Sequence, residues 1–281
     1  MGYDLKPLYP YAGGKQRSLK HIAAYLHPTE MYVEPFFGGG AVYCHMYNRR
    51  LARKYVINDI RPDIVGIYQS IQGNAVAFSD EADDLFRRYD GLSPGQQEAM
   101  FVQYRDAIAV EYNAAQCLFV RKANFGGMSK TNPDGSFDES SGHWRSPTKK
   151  VSFDRKQVCL WNQALDRTDI LCGDFQNVPI GPEKSIVFCD PPYYASTVEY
   201  GSFSTTDQLR CLEWCSALAV NKSTCVLLSN RDQDRFFSKR IGIDADAVYY
   251  DIFYTSGNNV LNREALFVWN KQVPLRGRNA R

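Results

Sequence analysis

The chain has no Cys-x-x-Cys pair and only four histidines in its 281 residues. A zinc centre of the usual Cys/His spacing therefore lacks a framework, and no metal is expected. No apolar run approaches the roughly eighteen residues of a membrane-spanning helix. The first residues, Met1 to Pro10, lack the apolar centre of a secretory leader, so a cytoplasmic protein with no membrane association is expected. Charge of one sign is also scarce: 33 Lys+Arg against 31 Asp+Glu leave +2. Contact with a nucleic acid would thus need a local basic face. What is present is 44% hydrophobic and 14% aromatic residues, which excludes a disordered or fibrous chain. The length allows one large domain, or one domain carrying a sizeable insertion. The eight cysteines are scattered, and several lie in apolar runs such as Val187-Phe188-Cys189 and Thr224-Cys225-Val226. They read as buried free thiols of a reducing compartment. No internal repeat is evident.

The first third alternates helix and strand signals. Gln16 to Leu26 has helical spacing and is stopped by Pro28. Met31-Tyr32-Val33 predicts a strand running into Gly38-Gly39-Gly40, with a helix over Ala41 to Leu51 after it. Tyr55-Val56-Ile57 is a second strand, ended by Asn58-Asp59, and Arg61-Pro62 opens the next helix. From Gly73 to Tyr112 the pattern is helical, with Ala82, Leu85, Phe86 and Tyr89 on one face and Pro94 starting a further helix. Asn124 to Lys150 is rich in Gly, Ser, Asn, Thr and Pro. A long irregular stretch inside a compact domain is usually functional. Strands return at Asp169–Cys172, Ser185–Cys189 and Thr224–Leu228, with a helix over Thr206–Ala219. Ala247–Tyr254 and Ala265–Trp269 close the sheet as a hairpin. The reading is an α/β sheet interrupted by a mostly helical insertion. Ligands of such sheets bind outside the carboxyl ends of the strands.

Three constellations stand at those ends. Glu34-Pro35-Phe36-Phe37-Gly38-Gly39-Gly40 is a glycine loop that lets a ligand approach the backbone. Asp59 follows at a spacing suited to ribose hydroxyls, so a nucleoside-containing cofactor is indicated. A carboxylate opening the loop suits a cationic or amine-bearing ligand such as S-adenosylmethionine better than a pyrophosphate. Asp190-Pro191-Pro192-Tyr193 offers only acceptors, because proline has no N–H and an ionised carboxylate cannot donate. Such a turn suits an exocyclic –NH₂, and Tyr193 adds a face on which a flat base can stack. Tyr9-Pro10-Tyr11-Ala12-Gly13-Gly14-Lys15 is weaker alone, and its Gly pair and Lys15 could line a pocket.

Pro10–Lys15, Glu34–Val42, Asn58–Ile60 and Asp190–Tyr193, in this order, resemble the Dam-type (alpha-group, D12 class) DNA adenine-N6 methyltransferases of bacteria and their phages. The resemblance spans nearly the whole chain. It implies a Rossmann-like S-adenosylmethionine-dependent methyltransferase sheet, discontinuous over residues 1–62 and 160–281, with a DNA-recognition domain inserted at 63–159. It implies that Tyr11, Lys15, Glu34, Phe36, Gly38, Gly40, Asp59, Asp174, Phe175 and Asp190 bind the cofactor. Asp190, Pro191, Pro192 and Tyr193 would be catalytic, acting on an adenine flipped out of duplex DNA. Lys122, Asn124, Lys130, Asn132 and Arg145 would contact the DNA. From Arg121 to Lys156 eight basic and four acidic residues interleave with aromatics, which suits phosphate and base contacts. Relatives that read GATC carry an Asn-Gly pair and an Arg where this chain has Gly126 and Lys130. Arg-to-Lys is not conservative where a guanine is read bidentately, so GATC stays open as the target. So does any association with a restriction enzyme. No obligate protein partner is evident.

The residues by themselves leave other acceptors open. Cytosine-N4 DNA enzymes, RNA adenine enzymes and protein-glutamine methyltransferases use related four-residue motifs. The glutamine enzymes begin theirs with Asn, against Asp190 here. A non-catalytic DNA-binding module of the same fold is a further alternative, opposed by intact Asp59, Asp190 and Tyr193. A nicotinamide oxidoreductase is disfavoured by Glu34.

Overall fold

A computed structural model describes residues 3–11, 13–124, 151–195, 203–241, 245–254 and 260–271. The strands are β1 (Thr29–Glu34), β2 (Ala52–Asp59), β3 (Thr168–Cys172), β4 (Ser185–Cys189), β5 (Thr224–Asn230), β6 (Ala245–Tyr254) and β7 (Val260–Trp269). They form one seven-stranded sheet in the order β3-β2-β1-β4-β5-β7-β6. The first five run parallel, and β7 is antiparallel to both β5 and β6. This is the α/β, Rossmann-like sheet that the sequence predicts, with the expected terminal hairpin. The order reverses between β1 and β4, which is the switch point where such sheets open a crevice.

Every residue of β4 and β5 is buried, as central parallel strands require. The two-residue period divides their side chains between two cores. Tyr32, Tyr55, Ile186, Phe188 and Leu227 face one side, under α2 (Ala41–Asn48), α3 (Pro62–Asp90) and α6 (Arg155–Leu165). Val33, Val56, Val187, Val226 and Leu228 face the other, under α7 (Thr205–Leu218).

The helix expected over Gln16–Leu26 is shorter. α1 covers Leu19–Ile22, followed by a 3₁₀ turn to Tyr25. Gly13 sits at φ 75° and the Lys15 ammonium bends back to the Gly13 carbonyl (2.8 Å), so a turn occupies the front of that segment. α3 is longer than its first, apolar half. Its backbone leaves the helical region at Asn74 (φ −155°, ψ 83°), where the Asn74 side chain accepts from Ala77 N–H and caps the second half. The first half is bolted to the sheet by Gln72, which donates to the carbonyls of Leu165 and Thr168. The second half pairs with α4 (Pro94–Val110) and α5 (Ala114–Ala123). α5 and α6 had no counterpart in the sequence reading, though Asn113 and Asp154 cap them in the ordinary way.

Among the described residues, the helices between β2 and β3 share the core of the sheet. Ala82, Leu85, Phe86, Tyr89, Phe101 and Phe119 belong to the same buried cluster as Tyr32, Phe188 and Leu227. The expected face of Ala82, Leu85, Phe86 and Tyr89 is indeed buried. Each of the eight cysteines is a free thiol; six are buried, while Cys159 and Cys172 are exposed. Among the described residues no helix is long and apolar enough to cross a membrane.

Phe119 is fully buried, with ring centroids of Phe86, Tyr89 and Tyr104 at 5.5, 5.1 and 5.9 Å. Phe119→Ala should cost about 3–5 kcal/mol. Because the core is shared, the loss should come as one transition in urea, with circular dichroism and tryptophan fluorescence coinciding. Two resolved transitions would mean that the insertion unfolds by itself.

Candidate active site at the sheet edge

Glu34 ends β1, Asp59 ends β2, Asp174 follows β3 and Asp190 follows β4. Four carboxylates thus stand along one edge. The backbone dictates where, and their partners dictate how each is held.

Asp59 clamps the glycine loop. Its Oδ2 accepts from Gly38 N–H (2.8 Å) and its Oδ1 from Arg61 N–H (3.0 Å). Asn58 beside it donates to the carbonyls of Pro35 and Gly173, tying the β1 and β3 exits together. Gly38 is at φ 51°, and a Cβ there would stand 2.7 Å from the Tyr11 ring. The loop is therefore glycine both for its backbone and because Tyr11 lies against it. Glu34 is 3% exposed and its Oε2 accepts from the Tyr32 hydroxyl at 2.8 Å. Burial, assisted by the nearby Asp190 charge, pushes its carboxyl well above the usual range despite that hydrogen bond. A cation beside it would favour its ionised form.

Asp190 is the most constrained of the four. Its Oδ2 lies 2.7 Å from Lys15 Nζ, and the two side chains are 17% and 5% exposed. Burial raises its carboxyl to about 6, against the pull of the Lys15 ammonium. Its Oδ1 is buried and has no hydrogen-bond partner among the described residues. The Lys15 ammonium also lies 4.7 Å from the Tyr193 ring centroid, so one face of that ring is taken. The turn itself is pinned from behind. Gln208 Nε2 donates to the Pro192 carbonyl (2.6 Å), and Asn230 Oδ1 accepts from Tyr194 N–H (2.8 Å). Asn230 Nδ2 in turn donates to Gln208 Oε1 (3.0 Å). Of the two proline carbonyls, that of Pro192 is thereby engaged.

Phe36, Phe175 and Phe203 form an aromatic wall, with centroids 5.1–6.4 Å apart. Asp174 caps the turn at Phe175 by accepting from Gln176 N–H, and pairs with Arg210 (3.0 Å). Arg210 also lies over the Phe175 ring at 5.3 Å. The structure thus brings together Tyr11, Lys15, Glu34, Gly38, Asp59, Asp190 and Tyr193, and places Phe36, Asp174 and Phe175 along the same edge.

The residues expected to touch DNA are placed differently. Lys122 is half-buried and donates to the Leu8 carbonyl (3.0 Å), and Asn124 is 7% exposed at the end of α5. Arg121, counted in the basic stretch, is 2% exposed and pairs with Asp63 beside Arg61. Burial alone would raise the Asp63 carboxyl, but the Arg121 and Arg61 charges hold it at about 2. The Arg121 guanidinium also covers the Tyr9 ring (5.1 Å), whose hydroxyl donates to the Gly38 carbonyl. Lys130, Asn132 and Arg145 lie outside the described residues.

Sequence reasoning missed Gln208, Ser229, Asn230 and Glu264. Asn230 could have been found, since it ends an apolar parallel strand at the same edge as Asp59. Glu264 could not, because a charged residue in a terminal hairpin reads as solvent-facing.

A family model described as D12 class N6 adenine-specific DNA methyltransferase matches residues 11–266. The Type II methyltransferase M.MjaIII of Methanocaldococcus jannaschii is 28% identical over 259 residues, covering 84% of this chain and 88% of its own. The DNA N-6-adenine-methyltransferase of Escherichia phage P1 is 29% identical over 67% of this chain, which corresponds to 24% of that protein. The DNA adenine methylase of Vibrio cholerae (strain ATCC 39541) is 23% identical, with 79% of this chain and 80% of the relative covered.

The Lys15–Asp190 pair is testable without any ligand. Lys15→Met removes the ammonium that opposes the effect of burial, so the Asp190 carboxyl should titrate above its wild-type value of about 6. Carboxyl ¹³C NMR titration reads this directly. An unchanged or lowered midpoint would break the pairing.

Proposed function

The chain belongs to the D12 class N6 adenine-specific DNA methyltransferase family, and from that premise we propose that it methylates adenine in duplex DNA through Asp190, Pro191 and Tyr193, with S-adenosylmethionine bound at the β1–β3 ends. Membership disposes of the cytosine, RNA, glutamine and nicotinamide alternatives. The observation that carries the residue assignment is the buried, unpartnered Oδ1 of Asp190 beside an Oδ2 already held by Lys15. A buried acceptor without a donor is costly, and a substrate –NH₂ supplies the donor.

The residues present fit S-adenosylmethionine. An edge of carboxylates suits a cationic, amine-bearing ligand, and the aromatic wall suits an adenine ring. Glu34 would face the cationic portion. Asp59, with lone pairs to spare beyond its two backbone donors, would take the ribose hydroxyls. Phe36, Asp174 and Phe175 would bound the adenine, while Tyr11, Gly38 and Gly40 shape the floor. When bound, the cofactor supplies a methyl group on a positively charged sulfur.

The amine of adenine is a poor nucleophile because its lone pair is delocalised into the ring. Asp190 Oδ1 and the Pro191 carbonyl accept its two N–H groups, which favours a pyramidal nitrogen with a more available lone pair. The same two acceptors stabilise the positive charge that develops on nitrogen. Lys15 fixes the Asp190 carboxylate in one orientation. Tyr193 receives the base on the face that Lys15 leaves open. The amine is paired inside a duplex, so the base must leave the stack to reach this turn. Residues 63–159 would serve as the recognition unit, with the first half of α3 doubling as a helix of the catalytic sheet; Lys130, Asn132 and Arg145 would contact the DNA, whereas Lys122 and Asn124 are engaged within the protein.

The test is transfer of labelled methyl from S-adenosylmethionine to unmethylated duplex DNA, followed by digestion to nucleosides and sequencing of modified positions. N6-methyladenine within one short sequence is the expected product. Asp190→Ala should lower the rate by about 10²–10³-fold. In the wild type the rate should rise with pH through about 6, because protonation turns one oxygen of the raised carboxyl into a donor and removes the negative charge that supports the developing cation. Asp59→Ala should act mainly on cofactor affinity, read by calorimetry. Normal turnover by Asp190→Ala at saturating cofactor would falsify the catalytic assignment.

A further inference from the structure

Glu264 lies outside every motif used above. It sits on β7, 1% exposed. Its Oε2 accepts from the Ser18 hydroxyl at 3.0 Å and from the Tyr193 hydroxyl at 3.2 Å. The Tyr193 hydroxyl is also 2.7 Å from Ser229 Oγ. A phenol has one proton to give and a carboxylate oxygen accepts. A consistent chain therefore runs from Ser229 to Tyr193 to Glu264, with Ser18 donating to Glu264 from the other side. Ser18 follows the turn that carries Lys15, Ser229 stands near the end of β5, and Glu264 comes from the terminal hairpin. Its cross-strand partner Tyr250 stacks on His21 at 4.4 Å and closes the back of the cluster.

We propose that Glu264 is a positioning residue for methyl transfer, fixing the Tyr193 ring through its hydroxyl at the angle at which the ring receives the target adenine. The proposal rests on the base-stacking role given to Tyr193 above. The main chain at this turn is held by Gln208 and Asn230, which leaves the ring two torsions. Anchoring the hydroxyl removes the remaining swing. It also holds the ring against the Lys15 ammonium, and so keeps Lys15 in register with Asp190. This explains why the position needs a phenol although the hydroxyl points into the protein. What the ring needs is an acceptor rather than a charge, so an amide oxygen should serve in place of the carboxylate.

The experiment compares Glu264→Ala, Glu264→Gln, Tyr193→Phe, Asp190→Ala and the Glu264→Ala/Tyr193→Phe double variant in the full chain. Initial rates are measured with S-adenosylmethionine and unmethylated plasmid DNA. Glu264→Ala should lower kcat by about 10–100-fold while the KM for the cofactor stays within about 2-fold. Tyr193→Phe should lose a comparable amount, and the double variant should be slower than the worse single by no more than about 3-fold. Glu264→Gln should retain kcat within about 3-fold of wild type, because it keeps the acceptor. Normal kcat in Glu264→Ala, or losses that multiply in the double variant, would overturn the proposal. Should Glu264→Ala fail to fold, Tyr193→Phe decides alone, since it breaks the same bond and leaves the carboxylate in place. Asp190→Ala separates the two levels. If it too keeps its kcat, the whole assignment of the motif falls; if it alone is inactive, the motif stands and only the positioning role is lost.

Discussion

The Lys15–Asp190 ion pair is the contact on which the site is built. Asp190 is half-buried at the end of the central strand, and a carboxylate there without a counter-charge would take up a proton and stop being a pure acceptor. Lys15 prevents this, at the cost of burying its own ammonium. Pairs of this kind tolerate little displacement, because removing either member leaves a charge stranded in a low dielectric. The pair joins the N-terminal segment to the exit of β4. Everything that locates the N-terminal segment therefore helps to locate the Asp190 carboxylate.

Much of that locating is done by the helices between β2 and β3. Arg121 and Lys122, the last basic residues of α5, grip Tyr9 and Leu8 from two sides. Gln157 and Trp161 of α6 hold the chain at Asp4 and Lys6. The helix that leads into the proposed recognition stretch thus braces the segment that carries Tyr11 and Lys15. Arg121 also reaches the glycine loop through Tyr9, whose hydroxyl holds the Gly38 carbonyl. One apolar core runs under both parts.

The sequence was most readable where a side chain answers to its own strand or helix. Apolar strands with carboxylates at their ends gave the sheet, its parallel core and the row of carboxylates along its edge. Pro62, Pro94 and the glycines marked element boundaries correctly. Reading failed where a residue answers to a distant one. Arg121 and Lys122 look like a basic surface in sequence, yet their partners Asp63, Tyr9 and Leu8 lie 58 to 114 positions away, too far for any local pattern to show. Glu264 is the same case, since only the antiparallel turn-back of β7 brings it behind Tyr193. α5 and α6 were overlooked for a simpler reason: their flanks are irregular, and the caps at Asn113 and Asp154 are single residues within polar surroundings.

The reversed direction of β7 bears on how the protein comes into being on a ribosome. A parallel strand presents its last residues at the ligand edge, whereas β7 presents its first. Glu264 follows Tyr193 by 71 residues, so the recognisable motifs have all been synthesised well before the hairpin that backs them. A nascent chain holding those motifs still lacks the wall behind its aromatic platform. Catalytic competence should thus arrive late and abruptly, with the folding of the final hairpin onto β5. Until then, the ring of Tyr193 would stand without the carboxylate that anchors its hydroxyl.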